Sequence, residues 1–271
     1  MVTLIGMNIN WIDTDNQTVG SLSSYTGVQA AGSPVSMKVI VSGTGGDVTK
    51  NSYIRNNIPN TSITNQVVSL AKSGTPMVVF GNGSGPRVLI VAGVHGNELP
   101  SQIAAMKLIN YLNGKQIRGT VYIVPFVAPS ITAKNIRYWN GKNLNRVTNV
   151  AGTPTNKILN LAKQLKIMAL GDFHSTRPGG VPGKKSVFCS KSPCPTSYKI
   201  AYNISKQTGS ALIAYPKCGI EYAGALEDCT NLAGIPSVTC EVVSPHGTVA
   251  SGSVSGSYYQ MLTLLRYKTM I

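Results

Sequence analysis

Val88–Gln102 reads VLIVAGVHGNELPSQ, and the way this stretch breaks decides the fold. Its apolar run stops at Gly93, as a buried strand does. His95 and Glu98 follow at a spacing of three. Leu99, Ile103, Met106 and Leu112 then fall near one face of a helix. A strand that passes through a histidine and a glutamate into a helix is half of an α/β unit with chemistry at its turn.

The same grammar recurs along the chain. Further apolar runs are Met77–Phe80, Val121–Phe126, Ile167–Leu170, Ala211–Tyr215 and Ser237–Val243. Between them lie helical patterns. Ile158, Leu161, Ala162 and Leu165 form one face, and Tyr258, Met261, Leu262 and Leu265 form another. This alternation predicts an α/β domain over 76–271, built on a mixed, largely parallel twisted sheet flanked by helices. Residues 1–75 are rich in Ser, Thr, Asn and Gly, with short β-like runs such as Met37–Val41. They read as a small β-rich appendage or lead-in with no catalytic constellation.

Composition narrows the function. The chain has 271 residues, and 42% are hydrophobic, enough for a sizeable core. No apolar run approaches the ~18–20 residues of a membrane span. The opening MVTLIGMNINWI lacks the basic flank and cleavage-like end of a signal peptide. A net charge of +15 suits nucleic acid, an anionic surface or an anionic cell-wall polymer. There is no nucleic-acid motif and no dense basic block, so no nucleic-acid partner is expected, and a solvated basic surface is the simpler reading. Of the five cysteines none forms a CxxC pair; disulfides and reduced core thiols both stay open. The Asn, Ser, Thr and Gly content leans extracellular or cell-envelope, with the cytoplasm still open.

His95 and Glu98 can converge on one point as zinc ligands, although a capping glutamate beside a loop histidine gives the same letters. A catalytic zinc needs a third protein ligand. GDFHST supplies His174 after the run Ile167–Leu170, at a second strand end. His246, in SPHGT, has no comparable setting and reads as an ordinary loop histidine. Glu98, Asp172, Glu221, Glu227, Asp228 and Glu241 are the only acids after residue 75, and each lies beside a candidate site segment. Glu241 sits inside SVTCEVV, where a carboxylate is costly unless paired or used. It reads as a general base near a zinc-activated water, against the alternative of a solvent-facing strand-edge glutamate. In NIRYWNGKNLNRV, Arg137, Asn145 and Arg146 offer a two-pronged grip on a substrate carboxylate; alone they would be a basic loop.

Together the segments H-G-N-E (His95–Glu98), N-L-N-R (Asn143–Arg146), D-F-H-S-T (Asp172–Thr176) and G-I-P-S-V-T-C-E (Gly234–Glu241) resemble the zinc carboxypeptidase superfamily. That superfamily includes the succinylglutamate desuccinylase/aspartoacylase branch. The resemblance covers about 76–271. It implies one zinc ion on His95, Glu98 and His174, Glu241 as general base, and Arg137 polarising the scissile carbonyl. It also implies Asn145 and Arg146 clamping a terminal carboxylate. Where that branch usually has D-L-N-R, this chain has Asn143. The alignment places Glu227 where the side chain of the terminal residue is read, implying a basic residue there. Tyr222 and Tyr215 are both candidates for a substrate-touching tyrosine. The implied activity is hydrolysis of an amide next to a free carboxylate, with a (cell-wall) peptide substrate expected first. A small N-acyl amino acid is the alternative, and a non-catalytic wall-binding module a second alternative.

Overall fold

The computed structural model describes residues 32–271; MVTLIGMNINWI, with Asp13 and Asp15 close after it, lies outside the described residues. The strands are β1 (Val35–Ser42), β2 (Gly74–Gly81), β3 (Arg87–Ala92), β4 (Thr120–Val124), β5 (Ala169–Thr176), β6 (Ser186–Ser192), β7 (Ala211–Lys217) and β8 (Ser237–Val243). They form one sheet in the order β1-β2-β4-β3-β5-β8-β6-β7. The pairs β1–β2, β2–β4 and β6–β8 are antiparallel, and the remaining pairs are parallel.

The helices are α1 (Ser52–Asn57), α2 (Ser62–Ala71), α3 (Leu99–Leu112), α4 (Pro129–Ala133), α5 (Pro154–Gln164), α6 (Pro195–Thr208), α7 (Leu226–Leu232) and α8 (Ser253–Tyr267). They cover both faces of the sheet, which is why its central strands are apolar throughout rather than alternating. In β3, Val88, Ile90 and Ala92 join a core with residues of α2, α3, α6 and α8, while Leu89 and Val91 join a second core with residues of α4, α5 and α7. Burying each such side chain stabilises the fold by about 1.5–3 kcal/mol relative to exposure.

Three details differ from the sequence reading. The apolar face expected on α3 is in fact most of the helix, because α1, α2 and α8 pack around it as well as the sheet. β5 begins at Ala169 and runs to Thr176, so His174 lies inside the strand rather than beyond it. Pairing with β3 as far as Phe173, and with β8 as far as Thr176, carries these polar residues as strand. β6 was not legible, since SVFCSKS has no apolar run; β8 and β7 on either side define it.

The run Met37–Val41 falls in β1, an edge strand of the main sheet, and β2 crosses residue 75. Residues 35–75 therefore continue the same sheet and core. All five cysteines are buried and unbridged, and burial pushes the Cys189 thiol up to about 12. No helix among the described residues is long and apolar enough to cross a membrane.

Candidate metal centre and active site

Side chains of β5 alternate between the two faces of the sheet, and Asp172 and His174 share one of them. Ala169 and Phe173 face the core under α3 and α8, which places Asp172 and His174 on the opposite face, at the carboxyl end of the parallel strands. In the β5–β8 register His174 stands directly beside Glu241.

The turn after β3 supplies the other groups. Gly93 adopts φ +81°, and a Cβ on Gly96 would lie 2.4 Å from the Ile131 backbone, so both glycines let the chain fold tightly against α4. Gln102, fully buried on α3, donates to the carbonyls of Gly96 (3.1 Å) and Glu98 (3.0 Å) and accepts from Thr132 Oγ1 (2.7 Å). That staple holds the turn. Glu98 is the N-cap residue of α3, yet its side chain makes no capping bond. The capping-glutamate alternative is thereby excluded.

Instead the Glu98 carboxylate points into the centre. His95 Nδ1 lies 2.9 Å from Oε1 and His174 Nδ1 2.8 Å from Oε2, with Ser175 N–H donating to Oε2 at 3.1 Å and Arg137 Nη1 to Oε1 at 2.6 Å. His95, Glu98 and His174 are all buried, and their candidate donor atoms lie within 4.8 Å of one another. Two imidazoles cannot both turn a lone pair toward one carboxylate unless protons or a cation lie between. The outer nitrogens each face an oxygen: His95 Nε2 is 2.9 Å from Asn143 Oδ1 and His174 Nε2 is 2.9 Å from Asp172 Oδ2. The second pair sits off the line of a good hydrogen bond, so it is chiefly a charge contact. His95 Nε2, donating to Asn143, leaves its Nδ1 lone pair to face a cation, and His174 turns its own Nδ1 to the same carboxylate. The N, N, O donor set fits zinc.

Around the centre is a cavity of about 530 Å³, within the range of small-molecule sites. Glu241 lines it, with Oε2 enclosed and without a hydrogen-bond partner. Burial, then the nearby Glu98 charge, raises its carboxyl well above the ordinary range. β8 lies between β5 and β6, so the strand-edge alternative for Glu241 does not hold. Asn145 and Arg146 also line the cavity. Asn145 Oδ1 accepts from Leu226 N–H at 3.1 Å, which leaves its amide N–H groups to donate. Arg146 stands 5.3 Å over the ring of Tyr222. Gly224 makes this approach possible, because a Cβ there would meet the Arg146 carbonyl.

Tyr222 lines the cavity, whereas Tyr215 stands behind it, with ring centroids 5.8 Å apart. Glu227 is buried in the cavity wall with Oε1 unpartnered, and burial followed by the charges of Asp228 and Asp172 pushes it up to about 8. Every expected site residue thus reaches one place. Two more do so unexpectedly. His246 is a wall residue, not a remote loop histidine: its Nε2 donates to the Ser175 carbonyl at 3.2 Å and lies 3.7 Å from Glu98 Oε1. Arg177 lines the mouth. Neither had a motif to mark it; proximity to D-F-H-S-T was the only signal for Arg177.

Comparison with known proteins agrees with this geometry. The family model for the succinylglutamate desuccinylase/aspartoacylase catalytic domain matches residues 84–168. With the fold, that match bears out the resemblance to the zinc carboxypeptidase superfamily, desuccinylase/aspartoacylase branch included.

Among individual proteins, the chain is 37% identical over 73 residues to an N-alpha-acetyl-L-2,4-diaminobutyric acid deacetylase of Halomonas elongata, covering 26% of this chain and 21% of that protein. Its fold is similar to that of a succinylglutamate desuccinylase/aspartoacylase from Rhodobacter sphaeroides, with 22% identity, a TM-score of 0.55, and 73% of this chain and 60% of the other covered. A metallo-carboxypeptidase from Burkholderia cenocepacia gives 15% identity, a TM-score of 0.53 and coverage of 72% and 60%. The chain thus spans about three-fifths of those solved structures and about a fifth of the curated relative.

Proposed function

We propose that this chain is a zinc-dependent amide hydrolase that releases an amino acid with a free carboxylate and a basic side chain from its N-acyl partner. The observation that carries the reading is the convergence of His95, Glu98 and His174 beside Glu241, which the β5–β8 register fixes. Bound there, a zinc ion would supply Lewis acidity at the floor of the cavity. Glu241, with its raised basicity, takes the proton of the attacking water and passes it to the leaving nitrogen. Arg137 stands close enough to the centre to share in stabilising the oxyanion. Asn145 and Arg146 hold the free carboxylate and so choose the bond presented.

Glu227 supports the basic side chain, because a buried carboxyl in the wall whose Oε1 has no partner gains one when an ammonium enters. The diaminobutyrate substrate named for the Halomonas elongata relative has such an amine, and the family match favours a small acyl group. A peptide acyl group is the second reading, favoured by the exposed apolar mouth: Tyr138 is 50% and Val181 88% exposed. A binding module without turnover would have no use for Glu241 beside complete donors.

The test is to load the metal-stripped chain with zinc and assay N-acetyl-diaminobutyrate, N-succinylglutamate and lysine-ended peptides side by side. Turnover of a basic substrate, lost on chelation, is expected. Zinc uptake without hydrolysis of any of them would end the proposal.

A further inference from the structure

The two imidazoles of the centre are alike on the inside and unlike on the outside. Both turn Nδ1 to Glu98. His174 turns Nε2 to Asp172, a fully buried carboxylate whose oxygens have no well-aligned hydrogen-bond partner. His95 turns Nε2 to Asn143, a neutral amide. Asn143 Oδ1 is also shared, since it accepts from Asn145 N–H at 3.1 Å as the cap of the short 3-10 turn Leu144–Arg146. An imidazole whose outer N–H faces a carboxylate becomes a stronger donor to a metal; one facing a shared amide oxygen gains less.

We propose that Asn143 is a positioning residue that fixes the tautomer of His95 while keeping it the weaker of the two histidine donors, so that the centre would hold a zinc ion less tightly than it would with a carboxylate at 143. The same amide ties His95 to the segment proposed as the carboxylate clamp. Asn143 Oδ1 bridges His95 and the backbone of Asn145, so ligand orientation and clamp position depend on one atom. A neutral residue there leaves one fewer negative charge beside a cavity meant to receive a carboxylate. The inference rests on the zinc reading above.

The experiment is competition for zinc against a chromophoric chelator, using the whole chain and N143D, N143A and the exchange variant N143D/D172N. Asp is as good a cap as Asn, so N143D keeps the turn, and thermal melting of each variant checks the fold. N143D should bind zinc about tenfold more tightly and N143A about tenfold more weakly, in line with the ~10–100-fold effects of outer partners. N143D/D172N should return near the parent, because the carboxylate has only changed sides. ¹⁵N-histidine spectra of the zinc form should place the His95 proton on Nε2 in the parent and in N143D, and lose that preference in N143A.

Equal zinc affinity in the parent and N143D overturns the proposal while leaving the metal centre standing. Equal affinity in N143A overturns the positioning role. A parent chain that takes up no zinc overturns both this inference and the proposed function.

Discussion

Glu98 and Glu241 are the same side chain set into one cavity, and the structure shifts their carboxyls in opposite directions. Burial alone would push Glu98 up, but the charges of His95 and His174 outweigh it and hold the carboxyl well below its ordinary value. Burial also pushes Glu241 up, and its carboxylate neighbours, Glu98 first, add to the rise. Glu98 faces four nitrogens within 3.1 Å, while Glu241 Oε2 has no hydrogen-bond partner. Neighbours, not burial, separate the proposed ligand from the proposed base. Glu227 extends the comparison, because it too is buried and raised, but by Asp228 and Asp172 after burial.

Breaking the Glu98 side should have the largest effect. His174→Ala removes both a proposed ligand and a neighbour that lowers the Glu98 carboxyl. Zinc affinity should fall by more than the ~100-fold limit typical of outer partners, with activity following the metal. Metal content after gel filtration checks it, and a variant that retains stoichiometric zinc refutes the ligand assignment. Breaking the other side should leave the metal in place. Glu241→Gln should lower kcat by ~10²–10⁴-fold with zinc content unchanged, because only the proton transfer is lost. Unchanged kcat would remove Glu241 from the mechanism.

Arg146→Ala should lower kcat/KM by ~10–100-fold through loss of a charge-assisted contact with the substrate carboxylate, and mostly in KM. Substrates esterified at that carboxylate should not notice the change. The smallest catalytic effect is expected at Glu227, where the readout is pH. A carboxyl raised from 4.5 to about 8 in the fold holds its proton while the unfolded chain releases one. The native state therefore binds more protons across that window, and stability falls as pH rises from 4.5 to 8. Glu227→Gln should flatten that slope in chemical denaturation and be more stable than the parent at pH 8. It should also erase the preference for basic over neutral side chains. A parent whose stability does not decline over this window contradicts the buried, protonated state of Glu227.

Much of this site is local and therefore legible. His95-x-x-Glu98 lies at a strand-to-helix turn whose apolar run and Gly93 announce it, and Asn145-Arg146 are adjacent in the chain. Glu241 stands out because a carboxylate inside SVTCEVV has no bland local explanation. Other parts were silent for definite reasons. Gln102 acts on carbonyls one helical turn back and looks like any helix glutamine. His246 reaches the wall only because its loop folds back onto Ser175. β6 is a strand because its neighbours bond it, since SVFCSKS carries no period of its own.

By itself, the sequence determined which side chains were available, where apolar runs would bury, and that the chemistry would collect at strand ends, because hydrophobic periodicity and turn residues act over a few positions. Only the tertiary structure decided that His174 and Glu241 stand abreast, that Asn143 and Asp172 back the two imidazoles differently, and that the Glu98 carboxyl is lowered while those of Glu241 and Glu227 are raised. Those facts depend on sheet register and on which charges meet across the cavity, and both are set by contacts between residues far apart in the chain.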